Sequence, residues 1–139
     1  MIAVKEPAKR VTTYSLEGKE NGFLTELFKD SEKTVFYLSC VRKNDFKGFH
    51  LHRVRAARYI CVKGKIKIIL YKNKKREEHI LDSEKPERIF IPSNVATRIM
   101  NISDEDSWLI NYPDPPYDPG LVDEQVEYTE EELKEGVEK

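Results

Sequence analysis

The chain has 139 residues, 35% of them charged and 39% hydrophobic, with a formal net charge of −1. That length suits one domain spanning 1–139 with a real core, and no run approaches the ~20 apolar residues needed to span a bilayer. The first residues lack the long apolar stretch of a secretory signal, so a cytoplasmic location with no membrane partner is the expectation. Along the chain, apolar, β-branched and aromatic residues cluster in short runs: RVTTYSL (10–16), GFLTELF (22–28), TVFYLSCV (34–41) and RYICV (58–62). They continue as KIKIILY (65–71), EHIL (78–81), RIFIP (88–92), TRIMNI (97–102) and SWLINY (107–112). Many short strands with turn signals between them predict an all-β sandwich or barrel. Val62-Lys63-Gly64-Lys65 reads as a tight turn inside a hairpin, with Gly64 at positive φ. In the next strand Ile66, Ile68 and Leu70 share one face, and Lys65, Lys67, Ile69 and Tyr71 the other. Lys72 to Arg76 reads as a charged loop. From Pro113 the prolines forbid regular pairing and predict an irregular arm leading into an acidic tail, 113–139. Within that tail, Thr129 followed by Glu132 forms a capping box for a short C-terminal helix.

Cys40 and Cys61 each lie in an apolar run without metal-like spacing, which predicts buried free thiols. Charge is unevenly spread. Arg42 to Arg76 holds thirteen Lys or Arg against Asp45 alone, while Ser103 to Lys139 holds thirteen acidic residues against two Lys. The basic half suits a phosphate-bearing ligand, or else the acidic tail folded back on it. Nucleic acid is not expected, because the basic residues alternate along strands instead of forming an aromatic-laced patch.

KGFHLHR (47–53) carries the most chemistry. His50 and His52 sit at i and i+2, which on a strand points both imidazoles to one face. On the inner face of a barrel they converge on its cavity. On the outer face they are ordinary polar residues. The order HxH, then Gly64-Lys65-Ile66, then a strand ending at Ile91-Pro92 resembles the two-part cupin motif, which implies a jelly-roll (double-stranded β-helix) barrel. His50, His52, Gly64, Pro92 and Asn101 fit that motif. Its glutamate and second-half histidine positions fall on Ala57 and Thr97. A divalent metal wants three or four protein ligands, so no metal and no cofactor are expected.

From about Gly22 to Asp123 the chain resembles the sugar-nucleotide cupins: short relatives of dTDP-4-dehydrorhamnose 3,5-epimerase and the dTDP-hexose 3,4-ketoisomerases. NGFLTELF, KGFHLHR, RYICVKGKIKIILY and NISDEDSWLINYPDPPYDP carry the likeness. The resemblance implies a metal-independent isomerase or epimerase of a dTDP-linked 4-keto-6-deoxy sugar, active as a homodimer. It places His50 at the catalytic base, His52 at the second ketoisomerase histidine and Tyr37 as an assisting acid. It puts Lys47, followed by Arg53, Arg55 and Arg58, with Arg42, on the diphosphate, and Glu26 on the nucleotide. Tyr59, Tyr71 and Tyr117 read either as site groups or as core and rim aromatics, Tyr117 being the candidate for substrate contact. Some positions depart from the family. Asn21 replaces an arginine, the epimerase lysine falls near Ala57, and the last-strand tyrosine falls near Ile110 or Asn111. These departures leave a non-catalytic sugar-nucleotide-binding cupin as the alternative, with a metal-dependent cupin enzyme third.

Overall fold

In the computed structural model, which describes residues 2–139, two antiparallel sheets pack face to face. The strands are β1 (Arg10–Tyr14), β2 (Glu20–Asp30), β3 (Lys33–Val41), β4 (Phe46–His52), β5 (Ala57–Lys63) and β6 (Lys65–Lys72). They continue as β7 (Lys75–Asp82), β8 (Arg88–Ile91), β9 (Ala96–Asn101), β10 (Ser107–Asn111) and β11 (Gln125–Glu127), followed by one helix, α1 (Glu130–Glu135). The six-stranded sheet runs β1-β2-β3-β10-β5-β8 and the five-stranded sheet β11-β4-β9-β6-β7. From β3 to β11 the chain crosses between sheets at every connection except β6–β7, which gives the jelly-roll barrel of a cupin.

The alternation in β6 sets the layers. Ile66 and Ile68 point inward to a core with Val41, Tyr59, Cys61, Leu81, Ile91, Ile99 and Leu109. Ile69 and Tyr71 point outward, where they meet Phe49, Ala96, Tyr128 and Leu133 beneath α1. Both cysteines are buried and unpaired. Thr129 and Glu132 form the capping box, and Gly136 closes α1 in the left-handed conformation at φ 77°.

Two turn readings are corrected. Gly64 does adopt φ 77°, but β5 and β6 lie in different sheets, so it turns a corner and not a hairpin. A Cβ there would lie 2.2 Å from Ser107 Oγ, so the corner requires glycine sterically as well. The hairpin is the next connection: Tyr71 pairs with Arg76 and Lys72 with Lys75, around Asn73 and Lys74, both at positive φ. The charged loop is therefore a tight hairpin turn.

The acidic tail folds back on the basic half. Glu130 approaches Arg76 at 3.6 Å, and Arg53 donates to the carbonyls of Asp123 and Lys139 at 2.7 and 2.6 Å. The five-stranded sheet thus has α1 over one end of its outer face. No element of the described residues covers the outer face of the six-stranded sheet, where Phe28, Val62, Phe90 and Tyr112 are exposed.

Candidate functional site

β4 builds one wall of the site. Its register against β9 shifts between Lys47 and His50. Gly48 lies at this shift with φ 102°, and a Cβ on it would sit 2.3 Å from the Thr97 carbonyl. The shift lets Lys47 and His50, three residues apart, both face the barrel interior. Phe49 and Leu51 face the α1 side. His50 and His52 then line a cavity of about 30 Å³ together with Arg55, Ala57, Tyr59 and Thr97, above Ile91, Pro92, Val95 and Ile99.

Both imidazoles are held through Nδ1 by carboxylates of the C-terminal arm. His50 Nδ1 lies 2.7 Å from Glu127 Oε2. The pairing of β11 with β4 puts Glu127 directly opposite His50, and Gln125 Nε2 donates to Glu127 Oε1 at 2.9 Å. A carboxylate at Nδ1 accepts its proton and leaves Nε2 as the basic nitrogen. Burial acts to raise the Glu127 pKa, but the contact with His50 outweighs it and holds the carboxyl below its usual range.

His52 has a different setting. Its Nδ1 is 3.1 Å from Glu124 Oε1 and 3.1 Å from Arg55 Nη2. Burial and the Arg55 charge both disfavour a second proton on the ring, so its pKa is lowered despite Glu124. Glu124 also accepts from the backbone N–H groups of Val54 and Arg55 at 3.3 and 3.1 Å, and from Arg55 Nε at 2.8 Å. Burial opposes its ionisation, yet these donors and His52 win and bring it to about 2. Arg55 and Glu124 side chains are each only 6% exposed, and Arg55 packs against the Tyr117 ring at 4.9 Å.

Tyr37 reaches the same network from β3. Its hydroxyl accepts from Asn111 Nδ2 at 2.6 Å and feels the Arg55 charge, but burial dominates and raises its pKa. Glu26 lies opposite Tyr37 across the β2–β3 ladder. It accepts from Thr34 Oγ1 at 2.6 Å through Oε2, while Oε1 is buried without a partner.

The remaining candidates go elsewhere. Lys47 is buried inside the barrel, donating to Ser39 Oγ at 2.9 Å and the Phe23 carbonyl at 3.2 Å, and burial lowers its pKa to about 8. Arg42 pairs with Glu20 and Asp106, both at 3.0 Å. Arg53 anchors the tail. Arg58 lies on the outer sheet face, 3.2 Å from Asp114 and over the rings of Phe90 and Tyr112. None of these four lines the His50–His52 cavity. Asn21, in place of the family's arginine, is buried and donates to the Phe46 carbonyl. The structure thus gathers His50, His52, Tyr37, Tyr117 and Arg55, and adds Glu124, Glu127 and Asn111, which the sequence reading did not select. Their acid and amide character offered no signal within an acidic tail and a core strand.

At the metal-ligand positions of the cupin motif stand Ala57, which has no side-chain ligand atom, and Thr97, whose hydroxyl donates to the Val95 carbonyl. Among the described residues no group of three His, Cys, Asp or Glu is placed to hold one.

Comparison with known proteins fits this architecture. The family model described as "FdtA: WxcM-like, C-terminal" matches residues 19–131. No curated protein matches the sequence. Among solved structures, the capsular polysaccharide assembling protein CapF of Staphylococcus aureus superposes with a TM-score of 0.71 at 20% identity, over 88% of this chain and 32% of its own. The chain therefore spans about a third of CapF. A double mutant of ChmJ, a 3′-monoepimerase from Streptomyces bikiniensis in complex with dTDP, gives 0.62 at 11% identity, over 92% of this chain and 70% of its own. Recombinant oxalate oxidase in complex with glycolate gives 0.55 at 11% identity, over 74% of this chain and 45% of its own. Those structural likenesses carry the cupin fold, and the family match over residues 19–131 makes this chain a member of the WxcM-like, C-terminal (FdtA) family of sugar-nucleotide cupins.

Proposed function

We propose that this chain is a metal-independent isomerase or epimerase of a dTDP-linked 4-keto-6-deoxy sugar, working by proton transfer beside the ketone. The observation that carries this reading is the His50–Glu127 pair, which leaves an imidazole Nε2 as base in a cavity shared with a second imidazole. That nitrogen takes the proton from the carbon next to the carbonyl. The C–H electrons form a C=C bond, and the carbonyl electrons move to oxygen, giving an enolate. Return of a proton to the other face of the same carbon epimerises it. Return to the former carbonyl carbon, with loss of the neighbouring hydroxyl proton, exchanges ketone and alcohol. His52 and Tyr59 line the cavity and Tyr37 adjoins it through Arg55, and these are the proton donors of this reading. The family match and the dTDP bound by ChmJ support the nucleotide-sugar substrate class. Glu26, with one buried oxygen unpartnered, is the candidate contact for the nucleotide.

The cavity of about 30 Å³ has room for about one water. A hexose ring therefore needs the cavity to widen, and the exposed Tyr117 ring packed on Arg55 is the neighbouring side chain able to swing aside. The same small volume favours the second reading, a cupin that binds the sugar nucleotide without turning it over. Incubating the protein with a dTDP-4-keto-6-deoxyhexose in deuterated water separates them. Loss of the C3 proton signal supports ketoisomerisation and loss at C3 and C5 supports epimerisation, whereas binding without exchange leaves only the binding reading.

We also propose a homodimer, on the uncovered outer face of the six-stranded sheet. Phe28 and Phe36 pack edge to face, Phe36 stacks on Tyr112, and Phe90 lies 58% exposed nearby. Exposed contiguous apolar faces of this kind mark association surfaces.

A further inference from the structure

Removing a proton beside a ketone places negative charge on the carbonyl oxygen, and a site that speeds this step presents a fixed positive donor there. Ala57 brings no charge to the cavity. Among the side chains that line it, Arg55 alone is permanently cationic. A buried arginine usually meets a carboxylate fork to fork. Here Arg55 binds Glu124 through Nε alone, at 2.8 Å. Nη2, on the same edge as Nε, lies 3.1 Å from His52 Nδ1, and the guanidinium charge reaches the Tyr37 hydroxyl. Two backbone N–H groups lock the far oxygen of Glu124, and Tyr117 packs against the guanidinium. The result is an arginine whose Nε–Nη2 edge is fixed by Glu124 and His52 while its side chain lines the cavity.

We infer that Arg55 is a further catalytic residue of this site, donating from its terminal nitrogens to the enolate oxygen, with Glu124 as its positioning residue. The inference rests on the proton-transfer reading above. The same placement gives the two histidines different tasks. His52 Nδ1 lies 3.1 Å from both the Arg55 guanidinium and Glu124, whereas the charged partner of His50 is the Glu127 carboxylate. No co-reactant is needed, because the proton leaves carbon for His50 and the electron pair settles on the oxygen that Arg55 holds.

The test is deuterium exchange into a dTDP-4-keto-6-deoxyhexose by the full chain and three variants: Arg55→Lys, Arg55→Met and the double variant Arg55→Met with Glu124→Met. The double variant leaves no buried carboxylate without its partner, so folding and chemistry can be separated. Loss of a preorganised oxyanion donor lowers kcat about 100- to 1000-fold, and KM is expected to stay within about threefold in both Met variants. Arg55→Lys is expected to recover part of kcat, as a cation without the planar fork. A rise in KM with kcat unchanged overturns the inference and makes Arg55 a ground-state binding group, while the proton-transfer reading stands. Unchanged kcat in both folded Met variants overturns it as well. Wild-type protein that exchanges no substrate proton sinks the proton-transfer reading itself, and the role of Arg55 with it.

Discussion

Glu124 carries more of this site than any other single residue, because four donors converge on its carboxylate. Replacing it with Gln leaves Arg55 as a buried cation without its counter-ion, which costs about 3 kcal/mol. The urea midpoint at neutral pH is expected to fall accordingly. Acid should produce the same loss in the native chain. In the folded chain its hydrogen bonds bring the Glu124 pKa to about 2, below the 4.5 of a free glutamate. Its stabilisation is therefore complete above about pH 5 and is lost as the pH falls through 4.5 toward 2, on the order of 3 kcal/mol. The stability gap between the wild type and Glu124→Gln is predicted to close over that window. A constant gap from pH 7 to pH 2 would show that the carboxylate is not what matters. His52 acts in the same direction at higher pH. Its folded pKa is lowered, so the unfolded chain takes up the proton first and stability declines as the pH drops below about 6.5. At His50 the expected effect is chemical: His50→Asn should cut proton exchange by about 100-fold or more without moving the urea midpoint comparably.

At the scale of elements, the wall that carries the histidines depends on a strand of three residues. β11 brings Glu127 opposite His50, and α1 fastens it by burying Leu133 among Phe49, Ile69 and Tyr71. Thr129→Ala removes the capping box and is expected to cost about 1 kcal/mol. Leu133→Ala empties part of that cluster and should cost about 2 kcal/mol. Faster hydrogen exchange at the Tyr128 amide, which donates to the Phe49 carbonyl, would report the loosening directly. The sequence showed the helix and its cap because that signal is local. It showed the layers of β6 because strict alternation survives without context. It misread Gly64 because a glycine at positive φ suits a corner and a hairpin equally, and sheet membership is decided by distant partners. β11 left no signal, since three residues in an acidic run have no period. Glu124 and Glu127 act on residues 72 and 77 positions earlier, so their roles exist only once β11 pairs with β4. The His50–His52 pair was legible because one strand fixes both rings on one face. Lys47 shows the limit of such counting: the bulge at Gly48 turns it inward to Ser39, away from the cavity that the histidines line.

For the whole molecule, the two sheets differ in their outer faces. The five-stranded sheet is partly covered by α1, and the six-stranded sheet presents Phe28, Phe90, Val62 and Tyr112 to solvent. Sedimentation equilibrium is expected to give a dimer, and Phe90→Glu should shift it toward monomer with the fold intact. A monomeric wild type would remove the homodimer from the account. The central claim concerns the cavity between the sheets, and proton exchange on a dTDP-4-keto-6-deoxyhexose in deuterated water tests it most directly. The account predicts loss of the proton signal beside the ketone with wild-type protein and its retention with His50→Asn. Binding of the sugar nucleotide with every ring proton retained would contradict it.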